Sequence, residues 1–475
     1  MGFREYPATR MMEELEADNL LPAILFRSSR ASCDGDVKAL AQRTRGNLSF
    51  KKQREIKDVV RQVIEKYDFN PELIYEHPQF NALVLTGAGA HHAGQLLMWR
   101  LLLEELMSKG LLRLMVATGT VAAGVDFPAR TVIITAHSRR GSDGFQVLSS
   151  SEFQQMSGRA GRRGRDAVGI CLIAPSAFSD ARLIAKVAKQ PPEPLKSSYF
   201  AAPSTVLNLL RYRNVDDLRF TVDKSLASFL DRKNATSMRD EAYDFEKKIS
   251  SQEKEHTEHQ QKKYQKRVKR ELRQADELEA KQNVSLELAL DGLKALGHLD
   301  GGALTEKGYW SANLCTSLVL YIAEAIDKGI FKDAGEVEVI GFLAAISGDS
   351  YKTYLNIKQN PIAKKDFEKL KEVVLSVTEL YKGPQSVSDV TVMPDAALTV
   401  LIWSQTEDWL EFASLLRLAG IAEGDAARLI MQTADHLNQI IRLMDTHSDL
   451  AKTAELARMK LVRPPLSEVV AKHVE

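Results

Sequence analysis

Short apolar runs alternate with amphipathic stretches over the first 190 residues or so. The runs have the length and β-branched content of buried strands, and they lie at residues 21–26, 82–85, 112–117, 131–136 and 168–174. Between them, two stretches have the apolar spacing of helices, at residues 92–109 and 151–162. Continuous apolar strands that alternate with helices are typical of a parallel sheet covered on both faces. The pattern therefore predicts an α/β domain over residues 1–190.

The proline-rich segment QPPEP at residues 190–194 interrupts this alternation, and the chain after it is predicted to be almost entirely helical. Charged residues and glutamine dominate residues 240–281. This composition favours a solvated helix or helical hairpin with i,i+4 ion pairs, and a flexible linker is the alternative. Helical periodicity returns at residues 286–296, and a turn or β-wing is predicted at 297–305. The remainder, to about residue 470, has the pattern of a helical bundle.

The composition and net charge of the chain restrict its expected binding partners and its expected cellular compartment. The chain has 64 basic and 63 acidic residues and a net charge of +1, which argues weakly against broad electrostatic capture of nucleic acid but leaves room for a local basic channel. Cys33, Cys171 and Cys315 are widely spaced, which suggests neither a disulfide framework nor a metal site. The apolar runs are too short for a bilayer, and the first residues lack a signal-peptide core. We therefore expect a cytoplasmic protein with no membrane partner.

The segment QMSGRAGRRG, at residues 155–164, carries one amide and three guanidinium groups. On a helix, Gln155, Arg159 and Arg162 or Arg163 would share a face, and the glycines would let another surface approach closely. Arginine binds phosphate oxygens as a fork, and an arginine finger stabilises the charge that develops on a γ-phosphate. The segment therefore indicates a triphosphate site. Taken alone, it would also fit a basic helix end with capping glycines or an RNA-binding loop.

A second polar segment, ATGTVAAGVDFPA, follows a predicted strand at residues 117–129. Ligands bind at the carboxyl ends of strands in open α/β sheets. Thr118 and Thr120 offer hydroxyl groups there, and Gly119 allows a sugar-phosphate chain to approach the backbone. Asp126 can accept a hydrogen bond from a ribose hydroxyl. The segment therefore indicates contacts to nucleic acid and to a nucleotide sugar.

Taken together, these segments resemble helicase motifs. Residues 155–164 resemble motif VI of superfamily 2 helicases, in the form used by the exosome-associated, Ski2-like DExH RNA helicases. Residues 117–129 resemble motif V, the segment LPAILFRSSR at 21–30 resembles motif IV, and HHAG at 91–94 resembles the His-His-x-Gly segment of that family. Their order and spacing are those of a second RecA-like domain. Within motif V, Gly119 replaces a frequent acidic residue and Asp126 a frequent asparagine.

The resemblance implies an α/β plus all-α architecture. A parallel-sheet, RecA-like helicase C-terminal domain with motifs IV, V and VI would occupy residues 1–190. A winged-helix-like segment at 191–239 and a charged helical stalk or linker at 240–284 would follow. A C-terminal helical domain would cover residues 285–475.

The resemblance also assigns roles to residues. Arg159 and Arg162 would be arginine fingers facing the γ-phosphate, and Gln155 would contact the nucleotide or the attacking water. Further ATP contacts are expected at Gly124, Asp126 and Arg163. Nucleic-acid contacts are expected at Thr118, Gly119 and Thr120, and on a C-terminal helix at Arg428 and Arg442. For the last two, an ordinary exposed helix face is an equally weighted alternative.

The adjacent His91 and His92 have no further ligand at metal spacing, so a structural role beside the sheet is favoured over a loop contact to RNA. The segment DEAY at residues 240–243 lies in the charged stretch with no apolar strand before it, and we do not interpret it as an Asp-Glu box. No metal site is therefore predicted in this chain.

The 475 residues contain no Gly-x-x-x-x-Gly-Lys-Ser/Thr phosphate loop. ATP and Mg²⁺ are therefore expected to be held mainly by a first RecA-like domain, supplied in cis or in trans. The chain would be a fragment, a separately encoded half or a degenerate protein, and the intact arginine cluster favours the first two. The leading hypothesis is the C-terminal half of an ATP-dependent RNA helicase, inactive alone. The alternatives are an ATPase-inactive module that binds RNA or protein, and a DNA helicase of the same superfamily.

Overall fold

The structure is a computed structural model, 62% helical, that describes residues 6–43, 47–119, 129–141, 144–164, 166–176, 180–251, 258–357, 359–381 and 390–467. The chain divides into two compact units. The first comprises Met1–Pro194, Gln405–Arg428 and Val462–Glu475, and the second comprises Leu195–Ser404 and Leu429–Leu461. The four-domain division expected from the sequence stays a prediction.

Among the described residues, a five-stranded parallel sheet forms the centre of the first unit, in the order β2-β3-β1-β4-β7. Its strands are β1 (Ala23–Phe26), β2 (Ala88–His91), β3 (Leu114–Ala117), β4 (Thr131–Ile134) and β7 (Ile170–Ile173). The strands β1 to β4 are buried along their whole length, whereas the edge strand β7 is partly exposed. Continuous burial explains why most of these strands are apolar without alternation. A separate antiparallel pair, β5 (Ser138–Gly141) and β6 (Gly144–Val147), follows β4.

Eight helices of the first unit precede residue 195 in the described part of the chain. They are α1 (Ala8–Ala17), α2 (Arg30–Ala41), α3 (Phe50–Tyr67), α4 (Pro71–Tyr75), α5 (Phe80–Thr86), α6 (Leu97–Ser108), α7 (Ser150–Ser157) and α8 (Ala181–Ala188). On one face of the sheet, Met11 and Leu15 of α1 and Val37 of α2 join Leu25 and Val116 in a single core. The burial of these apolar helix and strand side chains stabilises the sheet, and the polar segments lie at the edges of that sheet.

The described part of the second unit is helical apart from one small hairpin. Its elements up to residue 404 are α9 (Pro203–Leu210), α10 (Val215–Asp223), α11 (Leu226–Ser251), α12 (Glu258–Ala295), β8 (Leu299–Asp300), β9 (Ala303–Leu304), α13 (Glu306–Ser311), α14 (Val319–Asp327), α15 (Glu336–Ser347), α16 (Lys364–Leu380) and α17 (Pro394–Gln405). The short antiparallel pair β8–β9 lies within residues 297–305, where a turn or β-wing is predicted. Further along, α18 (Trp409–Leu418) belongs to the first unit, α20 (Ser448–Leu461) belongs to the second, and the boundary falls inside α19 (Glu423–Ile441).

The charged stretch forms an antiparallel pair of helices, as far as it is described. Arg239 on α11 bonds to Asp276 on α12 at 2.7 Å, and the Gln282 amide donates to Asp231 at 2.8 Å. The fully buried positions here include alanines, Ala235, Ala242 and Ala275, which lets the helices approach closely without a leucine heptad. Residues 240–251 and 258–281, within the stretch where a solvated helix or a helical hairpin is predicted, are helical.

One predicted strand is wrong. Residues 82–85 lie within α5, and the neighbouring strand β2 has the sequence AGAH, which lacks β-branched residues. Gly87 ends α5 in the left-handed conformation, with φ of +68°. A Cβ on Gly89 would lie 2.5 Å from Leu103 Cδ2, so the strand needs small residues to pack under α6. Short apolar runs do not distinguish helix from strand by periodicity alone, and here packing decided the outcome.

Among the described residues, none of the helices is both long enough and apolar enough to cross a bilayer. Cys33, Cys171 and Cys315 are free thiols, and Cys33 is buried.

Candidate functional site

The arginine segment begins on a helix but leaves it sooner than predicted. Ser149 caps α7 by accepting from the Glu152 amide, while the Glu152 carboxylate accepts from the Ser149 amide. The helix ends at Ser157, so the prediction of one helical face running on to residue 162 is wrong. Gln155 lies on the last turn of α7 and is exposed, and the three arginines follow in a loop.

Backbone pairing explains why the helix stops. The Ala129 amide donates to the Arg159 carbonyl at 2.9 Å, and the Gly161 amide donates to the Ala129 carbonyl at 2.7 Å. These bonds make a parallel bridge between Ala129 and Ala160. Gly161 has φ of +93°, which side-chain-bearing residues rarely adopt. The arginine loop, which we define as residues 158–164, is therefore held by the backbone that leads into β4.

The arginine loop and the first residues of motif V lie at opposite edges of the sheet, whereas the last residue of motif V, Ala129, pairs with the loop. Ala129 lies two residues before the start of β4, whereas Thr118 directly follows β3, and both strands run parallel to β1. Four residues of strand span about 13 Å. The arginines therefore occupy the amino edge and Thr118 the carboxyl edge, where it is half-buried beside the exposed Gly119. The predicted residues Thr120, Gly124 and Asp126 lie outside the described residues.

Arg162 is bound side-on by a carboxylate. Its Nε donates to Asp166 Oδ2 at 2.8 Å and its Nη2 donates to Asp166 Oδ1 at 2.9 Å. Arg130 Nε lies 4.0 Å from the same carboxylate. The hydrogen bond from Arg162 lowers the pKa of Asp166 to about 2, and the pKa of Arg162 is raised in return. Arg159 is half-buried and Arg163 is exposed.

The two adjacent histidines are structural groups at the carboxyl end of β2. Both are buried, and His91 Nε2 lies 2.7 Å from Glu104 Oε1. His92 Nδ1 accepts from the Gly94 amide at 3.1 Å, so its Nε2 carries the proton and donates to Asp34 Oδ1 at 3.0 Å. These contacts agree with the favoured structural interpretation. Among the described residues, no group of three or more acidic, histidine or cysteine side chains could hold a metal ion.

An amide and imidazole network extends from Asp34, and no local sequence motif indicates it. Asp34 Oδ1 also accepts from Gln79 Nε2 at 2.6 Å and from Gln95 Nε2 at 3.1 Å. His77 Nδ1 accepts from the Gln79 amide at 3.2 Å, so its Nε2 donates to Gln95 Oε1 at 2.9 Å. The network joins separate segments of the chain, which is why no local motif identified it.

The His77 ring should make the first unit sensitive to mild acid. It stacks on Trp99 with the ring centroids 3.6 Å apart, and desolvation lowers its pKa to about 4. Between pH 6.5 and pH 4 the unfolded chain binds a proton that the native state does not bind, so stability falls as the pH falls. We expect a loss of about 1–2 kcal/mol between pH 7 and pH 5 from this group. Hydrogen exchange of the β2 and α6 amides at the two pH values measures it.

The matched variant is His77→Gln, which keeps a hydrogen-bonding side chain but does not titrate. Its absolute stability will differ because the stacking on Trp99 is changed. The pH dependence of amide protection, however, should be clearly smaller than in the unmodified chain. An unchanged pH dependence would show that another group titrates.

The first turn of α19 packs against the loop after β2, and both segments belong to the first unit. The Gly424 amide donates to the Gly94 carbonyl at 3.0 Å, and a Cβ on Gly424 would lie 2.8 Å from the Gln95 carbonyl oxygen. Arg30, the last residue of the motif IV segment, bonds to Asp425 at 2.7 Å. Motif IV and the His-His-x-Gly segment therefore share one docking site for the start of α19.

The predicted nucleic-acid arginines of the C-terminal helix lie on either side of the boundary between the units. Arg428 is an exposed residue of α19 in the first unit, and Arg442 is an exposed residue directly after α19 in the second unit. Within the second unit, the Gln439 side chain accepts from the Cys315 amide at 3.0 Å. Gln439, near the end of α19, therefore makes a structural contact within the second unit.

A parallel sheet with an arginine loop, followed by a helical remainder, is consistent with the C-terminal region of a helicase. The DSHCT (NUC185) domain family matches residues 301–468. Together with the similarity to the helicases described next, this match supports a likeness to the C-terminal region of Ski2-like superfamily 2 helicases.

Several curated helicases are similar to this chain. The DExH-box ATP-dependent RNA helicase DExH15 chloroplastic of Arabidopsis thaliana is 35% identical over 205 residues, which are 41% of this chain and 16% of that protein. The Exosome RNA helicase MTR4 of Homo sapiens is 30% identical over 214 residues, 44% of this chain and 20% of that protein. The Superkiller complex protein 2 of Mus musculus is 28% identical over 246 residues, 51% of this chain and 19% of that protein. The chain thus spans a fifth or less of the length of each of these relatives.

Proposed function

We propose that the chain acts as the C-terminal half of an ATP-dependent RNA helicase. In this proposal it supplies one wall of the ATP site and part of the nucleic-acid track. Arg159 and Arg162 face the γ-phosphate as arginine fingers, and Gln155 contacts the nucleotide or the attacking water. The observation that supports the proposal most strongly is the fixed backbone of the arginine loop, with its two hydrogen bonds to Ala129. Donors held in place before reaction need no reorganisation as charge develops.

The arginine loop fits a polyphosphate. Arg162 uses its Nε and one Nη2 hydrogen for Asp166, so the Nη1 hydrogens and the second Nη2 hydrogen point away from that carboxylate. Those hydrogens form the terminal edge of the guanidinium, which can donate to phosphate oxygens. Gly124, Asp126 and Arg163 are proposed as further ATP contacts. Mg²⁺ would neutralise phosphate charge at the site, and a first RecA-like domain would hold it, together with most of the ATP.

The nucleic-acid track is proposed at the other edge of the sheet. Thr118, Gly119 and Thr120 would contact the sugar-phosphate backbone, and Arg428 and Arg442 would contribute from the C-terminal helical part. RNA is favoured over DNA because the similar proteins DExH15 and MTR4 are named as RNA helicases. A DNA helicase and an ATPase-inactive binding module remain the competing functions.

Complementation tests the proposal. The isolated chain should hydrolyse ATP negligibly, because it lacks a phosphate loop. Fused to, or mixed with, a first RecA-like domain of a similar helicase, it should gain RNA-stimulated ATPase activity. The control is the same domain with its phosphate-loop lysine replaced by alanine, which should remain inactive. Initial rates of phosphate release give the readout.

Two other outcomes would favour the competing functions. Salt-dependent RNA binding by the isolated chain, with no domain able to restore ATP hydrolysis, would support a binding module. Stronger stimulation of the complemented protein by DNA than by RNA duplexes of the same sequence would support a DNA helicase, since the 2′-hydroxyl is what distinguishes the two.

A further inference from the structure

We propose that Asp166 is a positioning residue that holds the Arg162 guanidinium side-on, so that its terminal edge is presented to the triphosphate. The inference rests on the proposed role of Arg162 and adds the group that orients it. Asp166 does not touch the nucleotide in this proposal, and it acts only through Arg162.

The geometry of the pair leaves Arg162 little rotational freedom. In addition to the two side-chain bonds, the Arg162 amide donates to Asp166 Oδ2 at 2.9 Å. The Asp166 amide donates back to the Arg162 carbonyl at 3.0 Å. The Asp166 side chain is only 5% exposed, whereas Arg162 is 22% exposed. The carboxylate is therefore buried as a fixed acceptor, and the guanidinium keeps an accessible part.

A glycine between the two residues makes this arrangement possible. Gly164 has φ of +73°, and no described atom lies within 4 Å of the position that a Cβ would take. The requirement at this position is therefore conformational rather than steric. The turn brings the carboxylate of Asp166, two residues beyond the arginine loop, back to the Arg162 guanidinium that it orients.

The charges around Asp166 indicate that this carboxylate orients Arg162 without neutralising the positive charge of the cluster. Arg130 Nε lies 4.0 Å from Asp166, so two guanidinium groups face one carboxylate. The cluster of Arg130, Arg162 and Asp166 keeps a net charge of +1. A phosphate can therefore still be attracted by Arg162 while Asp166 holds it. The orientation of a donor affects the rate strongly, because misplacement by about 1 Å can cost 10²-fold in rate.

The test uses the full chain complemented by a first RecA-like domain. Asp166→Asn keeps the size of the side chain but removes its charge and replaces one acceptor with a donor. We expect kcat for ATP hydrolysis to fall about 10-fold, while KM for ATP changes less than twofold, because ground-state binding lies mainly in the first domain. Asp166→Glu restores the charge with a longer side chain and should recover part of the rate.

A double-mutant cycle separates positioning from a general structural role. In an Arg162→Ala background, Asp166→Asn should have no further effect on kcat. An equal 10-fold loss in that background would overturn the proposal, and so would an increase in kcat for Asp166→Asn alone. If Arg162→Ala leaves kcat intact, the arginine-finger assignment itself fails. If Arg162→Ala is damaging but Asp166→Asn is not, only the positioning role fails.

A second measurement does not depend on activity. In the isolated chain, the Nε–H of Arg162 should exchange slowly with solvent in NMR spectra, because it donates to a buried carboxylate. Asp166→Asn should make this exchange at least 10-fold faster while the Gly161 amide, bonded to Ala129, stays protected. Fast exchange of the Arg162 Nε–H in the unmodified chain would overturn the proposal.

Discussion

Replacing Arg162 with alanine in the complemented protein is expected to lower kcat for ATP hydrolysis about 10³-fold or more, the range over which arginine fingers act. The guanidinium would stabilise charge that develops on the transferring phosphoryl group, so its loss affects the transition state more than the bound ATP. KM for ATP should therefore change little. Arg159→Ala is expected to cause a loss of similar size, because Arg159 lies in the same backbone-fixed loop. Single-turnover rates of phosphate release measure both variants.

Two controls make the result specific. Arg162→Lys keeps the charge but loses the planar fork, so it should restore only a small part of the rate. Arg182→Ala removes an exposed arginine from α8 of the same unit and should leave the rate unchanged. Normal ATP turnover by Arg162→Ala would contradict the finger assignment.

The buried strands could be predicted because their surroundings are uniform. Apart from Thr131, the residues on β1, β3 and β4 are apolar on both faces, so these strands appear in the sequence as continuous apolar runs. Strand β2 could not be predicted in this way because close packing under α6 requires alanine and glycine there. The same small residues remove the β-branched signal by which a strand is recognised.

Only some residues of the candidate site could be predicted from the sequence, because the others depend on how the chain folds around them. The arginines and the motif V threonines stand in local segments, so spacing and residue type identify them. The residues that position these side chains do not stand in such local segments. Asp166 follows Arg162 at the spacing of an ordinary helical ion pair, yet the two residues lie in a loop. Arg30 and Asp425 are 395 residues apart, and only the folded chain brings them together. Contacts of that kind depend on tertiary packing, which a single sequence does not display.

Gly169 is the second position where we expect a large effect. A Cβ on Gly169 would overlap the carbonyl group of Ala160 and would lie 2.7 Å from the Gly161 amide nitrogen. The overlap is with backbone atoms, so no change of side-chain rotamer can relieve it. Either the arginine loop or the start of β7 must move, although the loop is bonded to Ala129. We expect Gly169→Ala to lower the free energy of unfolding of the first unit by about 3 kcal/mol.

The displaced loop should also impair catalysis. Because a shift of about 1 Å in a catalytic group can cost 10²-fold, ATP hydrolysis by complemented Gly169→Ala should fall about that much, even at temperatures where the protein is folded. Gly35→Ala is the matched control, since Gly35 lies inside α2 and no described atom comes within 4 Å of a Cβ there. That variant should be stabilised by about 0.5–1 kcal/mol and remain fully active. Thermal unfolding and ATPase rates are measured for both variants. If Gly169→Ala equals the unmodified chain in stability and in ATPase rate, the arginine loop is not fixed against the start of β7.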